Sequence, residues 1–284
     1  MSSEHAENGE ASGPAVAPGF AWRDIALWLP TCFLLGLLVA WLAVVVQSYF
    51  APLLFFPLLV GIATGACIVT AMRILQVGHR PTILFGALAA CLLTVVGQHY
   101  IAYRNNLRQI AQESAAEQTV RQAFPDVAAT RLPIVPTDFS DFMLKQAARG
   151  RPLFGDRVAR GKMAWLSWLV DGLLTLTAAL VLVVTGLRQP YCSLCRSWYR
   201  TMRNGRIDSE TASQLAEAAG IELEEQVKSA RYRLLACGGG CGPTALDLIC
   251  ENARGDTASV RTWLDVESRN RVMHVLDAAG KPAG

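Results

Sequence analysis

Residues 25–72 read IALWLPTCFLLGLLVAWLAVVVQSYFAPLLFFPLLVGIATGACIVTAM, and from Ile25 to Met72 no Asp, Glu, Lys, Arg or His interrupts the run. A transmembrane helix needs about 20 apolar residues, so this stretch is long enough for two spans and too long for one. The break falls at the polar-aromatic stretch Gln47-Ser48-Tyr49-Phe50, closed by Pro52. The second span carries Gly61-Ile-Ala-Thr-Gly65, a small-xxx-small spacing that lets two helices approach closely in lipid. A third span lies between Arg80 and Arg104, interrupted only by His99, and a fourth between Lys162 and Arg188, interrupted only by Asp171. The reading is an α-helical membrane protein with four transmembrane helices, which excludes a wholly soluble enzyme and a single-pass anchor.

Composition agrees. Over 284 residues, 52% are hydrophobic and 17% charged, against about 25% charged in a soluble domain. The net charge of +3 comes with mixed signs throughout, so no basic patch points to nucleic acid. The segment 1–22 has Glu4, Glu7 and Glu10, no Lys or Arg, and much Ser, Ala, Gly and Pro. It lacks the positive start of a secretory signal and reads as a disordered tail. Spans one to three then occupy 23–103, an extracytoplasmic segment 104–162, the fourth span 163–188, and a cytoplasmic domain 189–284.

Orientation follows from the short loops. Arg23, Arg73 and Arg80 flank one side, and the loop between the first two spans has no Lys or Arg. The positive-inside rule therefore predicts a multi-pass inner (plasma) membrane protein with both termini cytoplasmic. The ten Lys and Arg of the segment 104–162 oppose this, but a loop of about 60 residues is at the limit where the rule stops counting. Within that segment, Asn105 to Arg121 has helical potential and continues the third helix outwards. A short amphipathic helix bearing Phe139, Phe142, Met143 and Ala147 follows, with Thr137 or Ser140 as its cap and its end near Gly150.

The C-terminal part changes character. Ala212, Leu215, Ala216 and Ala219 have helical spacing between a cap at Asp208 or Ser209 and a stop at Gly220. Period-two alternation then marks strands through Tyr232–Ala236, Leu246–Cys250 and Val260–Val266. Val272, His274 and Leu276 complete a second expected hairpin.

Chemistry concentrates in five cysteines of this domain. Cys192-Ser-Leu-Cys195 and Cys237-Gly-Gly-Gly-Cys241 are two close pairs on separate turns, the arrangement that a tetrahedral Zn²⁺ site requires. Four thiolates on Zn²⁺ leave a formal charge of about −2. Gly238, Gly239, Gly240 and Gly242 let backbone N–H groups turn towards sulfur, and Arg196, Arg200 and Arg203 supply cations. Cys250 stands alone in a strand and reads as core, as do Cys32, Cys67 and Cys91 in the spans. The four cysteines and their hairpin resemble zinc-ribbon-type modules, over at most the last third of the chain. The 41 residues between the pairs, and the extra residue in the second, depart from the usual ribbon.

His99 and Asp171 are the ionisable side chains well inside the spans and read as an intramembrane polar pair between the third and fourth helices. No Walker loop, GxSxG, HExxH or Rossmann fingerprint occurs in a supporting context. The expectation is therefore a membrane-anchored, structural-zinc interaction or regulatory domain with a protein partner, and not an enzyme. Two alternatives remain open: a membrane thiol–disulfide oxidoreductase using the two cysteine pairs, and a rubredoxin-like iron site for electron transfer.

Overall fold

The computed structural model describes residues 22–47, 49, 55–123, 135–152, 158–223, 227–252 and 256–279. The expected disordered tail and Pro52, expected to close the break between the first two spans, lie outside them. The chain divides into two compact units. One holds residues 21–75 and 80–188; the other holds residues 76–79 together with 189–284.

In the first unit, four helices are long and apolar enough to cross a membrane: α1 (Trp22–Gln47), α2 (Phe55–Ile74), α3 (Arg80–Ala123) and α5 (Lys162–Leu187). Many of their large apolar side chains, such as Phe33, Leu34, Phe85, Leu92, Leu169 and Leu173, are exposed, which is the surface a bilayer covers. The bundle packs as α1 on α3 and α2 on α5. Small residues set both crossings. A Cβ on Gly61 would clash with the Thr175 carbonyl and sit 2.8 Å from Ala178 Cβ, and one on Gly65 would lie 2.9 Å from Ala179 Cα. The Gly61–Gly65 spacing thus marks the α2–α5 contact. At the other crossing, a Cβ on Gly36 would lie 2.8 Å from the Ala90 carbonyl. Polar groups at these contacts are satisfied locally: Thr175 donates to the Pro57 carbonyl (3.0 Å) and Trp28 Nε1 to the Thr82 carbonyl (3.0 Å).

Helix α3 runs for 44 residues, about 66 Å at 1.5 Å per residue, roughly twice the hydrocarbon thickness. Its overhang agrees with the expected continuation beyond Arg104. Helix α4 (Phe139–Arg149) is capped by Asp138, whose side chain accepts the Asp141 N–H, rather than by Thr137 or Ser140; Gly150 ends it at φ +87°. Its apolar face meets α3 through aromatic contacts, Tyr103–Phe139 at 5.8 Å and Tyr103–Phe142 at 5.4 Å between ring centroids. Strands β1 (Arg151–Pro152) and β2 (Val158–Ala159) pair antiparallel and return the chain to α5.

The second unit is built on a five-stranded antiparallel sheet in sequential order: β3 (Tyr191–Cys192), β4 (Ser197–Asp208), β5 (Val227–Cys237), β6 (Thr244–Asn252) and β7 (Thr257–Leu264). Helix α6 (Ser209–Ala219) has the expected punctuation, with Asp208 accepting the Thr211 N–H and Gly220 at φ +69°. One face of the sheet carries Ala230, Tyr232, Leu234, Leu246, Leu248 and Cys250, packed under α6 and α7 (Val266–Ala279). At one end, Leu235 and Ala245 point the other way and are equally buried, in a second small core with Tyr199, Cys192 and Cys237.

The expected second hairpin is corrected. The β5–β6 hairpin is present, but β7 pairs with β6 and residues 266–279 are helical. Val272 and Leu276 are buried one turn apart, and the Asp265 carboxylate accepts the Ser268 N–H at 2.7 Å, an N-terminal capping contact. The alternation of Val272, His274 and Leu276 mimicked a strand, whereas the i, i+4 pair and the cap dictate a helix.

Residues 76–79, between α2 and α3, fold as part of this second unit. Tyr191 OH donates to the Gln76 carbonyl (2.8 Å), Trp198 N–H to Gln76 Oε1 (3.0 Å) and Trp198 Nε1 to the Val77 carbonyl (3.2 Å).

Candidate metal centre

The β3–β4 turn and the β5–β6 turn meet at one end of the sheet, because β4 pairs with β5 in a register that sets Tyr199 opposite Cys237. Each turn delivers one cysteine pair. Cys192 closes β3 and Cys195 lies in the turn; Cys237 closes β5 and Cys241 precedes β6. The four Sγ atoms lie within 4.8 Å of one another. Cys192–Cys241 is 3.5 Å and Cys237–Cys241 is 3.7 Å, close to the sulfur–sulfur edge of about 3.8 Å in a tetrahedron with 2.3 Å metal–sulfur bonds. Cys195–Cys237 is shorter, at 2.6 Å, and a bound ion would open that edge. Among the described residues, no His, Asp or Glu belongs to the group. Four close thiols of this kind can hold a metal ion.

The backbone fits the same purpose. The Cys195 N–H is hydrogen-bonded to Cys192 sulfur and the Gly239 N–H to Cys237 sulfur. Gly240 adopts φ +67°, and a Cβ on Gly239 would lie 3.3 Å from Cys195 Sγ. Bulk there would crowd the sulfur cradle. Arg196 takes φ +52° in the first turn, a left-handed conformation costing an L-residue about 1–2 kcal/mol. Burial would push the Cys237 thiol up, but hydrogen bonds from Cys195, Ser197 and the Gly239 N–H bring it down to about 6. Burial and the surrounding thiols push Tyr199 up to about 12.

Two neighbours were not legible in the cysteine spacing. Ser197 Oγ lies 2.9 Å from Cys195 Sγ and 3.6 Å from Cys237 Sγ. Tyr199 walls the group, edge-on to Trp263. Of the expected cations, Arg200 lies beside the glycine turn, with its Nε 3.8 Å from where a Gly238 Cβ would be. Arg203 instead serves α7, donating to Asp277 (2.6 Å) and to the Leu276 carbonyl (3.0 Å). Cys250 is buried in the main core under the helices, apart from the group.

No family model matches the chain, and no curated protein or solved structure matches it either.

In the first unit, His99 and Asp171 line a common cavity, but no hydrogen bond joins them among the described contacts. Asp171 pairs with Arg151 of β1, and the His99 ring packs edge-on against Trp168 at 5.5 Å. The carboxylate thus has a cation from outside the spans, brought over it by the α4–β1 strap. Arg151 is twenty residues upstream of Asp171, and no periodicity in the fourth span reveals it.

Proposed function

We propose that the chain anchors a zinc-binding interaction or regulatory domain at the cytoplasmic face of the membrane, with Cys192, Cys195, Cys237 and Cys241 holding one structural Zn²⁺. The observation that carries this reading is the four-thiol group itself, built by two turns and cradled by backbone N–H groups. A tetrathiolate site takes all four positions from the protein and leaves none for substrate or water, so its work is to hold a fold. The two-turn hairpin geometry supports a zinc-ribbon-like module. A protein partner is then the natural ligand of the domain it holds.

The orientation rests on Arg23, Arg73 and Arg80. Residues 76–79, which lie between Arg73 and Arg80, fold with the C-terminal unit, so this loop and that unit share one side of the bilayer. Reporter fusions test the side: a C-terminal fusion to a cytoplasm-only fluorophore should shine, and a phosphatase fusion should be inactive.

Metal analysis of the purified full-length protein tests the rest. One zinc per chain is expected, lost in Cys237→Ser and retained in Cys250→Ser. One iron per chain with visible absorption, in place of zinc, would establish the electron-transfer reading instead. The short Cys195–Cys237 distance gives the oxidoreductase reading its one foothold; a metal-free protein with a Cys195–Cys237 disulfide would establish it.

A further inference from the structure

The first unit contains a cavity of about 410 Å³ between the ends of α1, α2, α3 and α5, covered by α4 and Arg151. Its size is that of a small-molecule site. Three glutamines from three helices line it: Gln47 of α1, Gln98 of α3 and Gln146 of α4. Among the described residues their side-chain amides have no hydrogen-bond partner, and His99 beside them offers its imidazole as well. A polar side chain in a membrane bundle normally spends its hydrogen bonds on neighbouring helices. Here four line one cavity.

The charges narrow the ligand. Arg151 and Asp171 are the charged side chains at the wall, and they already neutralise one another. An anion would meet the carboxylate and a cation the guanidinium, so the site favours a net-neutral molecule. Beside the aliphatic Pro57, Val95, Ala102 and Met143, the wall carries the aromatic rings of Trp168, Phe56 and Phe142, surfaces on which a planar ring packs. Primary amides and an imidazole around aromatic rings suit a ring that carries carbonyl acceptors.

We infer that this cavity binds an uncharged, planar, carbonyl-bearing ring of a membrane-soluble amphiphile, the chemistry of a quinone head group. The amides of Gln47, Gln98 and Gln146 hold the carbonyls, and Trp168 and Phe56 bracket the ring. Gly172 lines the same space, and a Cβ there would touch only Val95, at 3.7 Å. A larger side chain at this position would therefore fill the cavity without striking backbone.

The test uses the full-length protein in phosphatidylcholine nanodiscs, titrated with a benzoquinone carrying one isoprene unit and followed by tryptophan fluorescence. Quenching that saturates at one equivalent per chain is expected. Gln98→Leu and Gln146→Leu should each weaken it about tenfold, the equivalent of one hydrogen bond. Gly172→Leu should abolish saturable binding, while circular dichroism shows the helices intact. Linear quenching without saturation would overturn the inference, and so would saturable quenching that Gly172→Leu leaves unchanged. Displacement by water-soluble short-chain phosphatidylcholine with equal ease would assign the cavity to a lipid head group instead and overturn it equally.

Discussion

Gly65→Ala and Gly172→Ala make the same chemical change on two packed helices, and the structure requires opposite outcomes. At Gly65 the new methyl would lie 2.9 Å from Ala179 Cα and from the Ala179 carbonyl, both backbone atoms that cannot rotate away. Carbon atoms rest at about 3.5 Å or more, so α2 and α5 must part by roughly 0.6 Å. A gap of that size forfeits about a quarter of each dispersion well. If the crossing involves about 40 atom pairs at 0.15 kcal/mol each, the loss is near 1.5 kcal/mol, within the usual range for overpacking. The helix-propensity gain of alanine, at most about 1 kcal/mol in water, offsets only part of this. At Gly172 the methyl meets one atom, Val95 Cγ1, at 3.7 Å. Nothing must move, and the propensity gain stands alone. Unfolding in mixed micelles with increasing dodecyl sulfate, followed by far-UV circular dichroism, reads both variants. Gly65→Ala should unfold earlier than the parent protein and Gly172→Ala no earlier. Equal shifts in the same direction would refute the helix contact drawn between α2 and α5.

Four further outcomes follow from other parts of the molecule. On the proposed zinc reading, a chelator added to the full-length protein should melt the C-terminal sheet and leave the long apolar helices, since structural zinc contributes about 10–16 kcal/mol in small zinc-dependent folds; separate near- and far-UV melts would show it. Burial alone would raise the Asp247 carboxyl, but hydrogen bonds from Arg261 and Arg233 hold it below the ordinary range. Its stabilisation is therefore complete above about pH 4 and lost as pH falls through the depressed folded value, so Asp247→Asn should cost about 1–2 kcal/mol at neutral pH and progressively less in acid, as measured by paired denaturation curves. Gly220 ends α6 at φ +69°, and Gly220→Ala should cost about 1–2 kcal/mol in thermal melts. Arg151→Ala and Asp171→Asn should each destabilise the bundle, with a coupling of about 0.5–3 kcal/mol in a double-mutant cycle; additive losses would show that the two do not meet, and the His99–Asp171 cycle should show the weaker coupling.

What the sequence revealed and what it hid divides along physical lines. The spans were legible because hydrocarbon demands long uncharged runs, and Gly61–Gly65 because close helix contact demands small residues at one spacing. Helix α6 was legible in Asp208 and Gly220, local chemistry that needs no tertiary partner. The grouping of Cys192, Cys195, Cys237 and Cys241 was legible because each pair sits on its own turn. Helix α7 was misread because Val272, His274 and Leu276 also satisfy a two-residue period, and the cap at Asp265 was the signal that decides it. Arg151, Ser197 and Tyr199 were hidden because their roles depend on which elements the fold brings together. No local pattern announces that β1 lies over Asp171 or that Ser197 lies between two thiols.

The turn at residues 76–79 sets the order in which the molecule can be completed. Its Gln76 is joined to Trp198, 122 positions further along the chain, through the strand that borders the first cysteine turn. During synthesis this turn emerges early and waits, while the later helices are still to be made and inserted. The sheet can gather its own strands locally as they appear, but it has its full set of partners only when the membrane segments have already threaded. A polypeptide started at residue 189 would contain all four cysteines of the group and every strand of the five-stranded sheet and would still be missing a piece of its own fold, leaving the Tyr191 hydroxyl and the Trp198 indole and backbone N–H groups to water. Joining residues 76–79 to the sheet is thus a closure between distant parts of the chain, the slow kind.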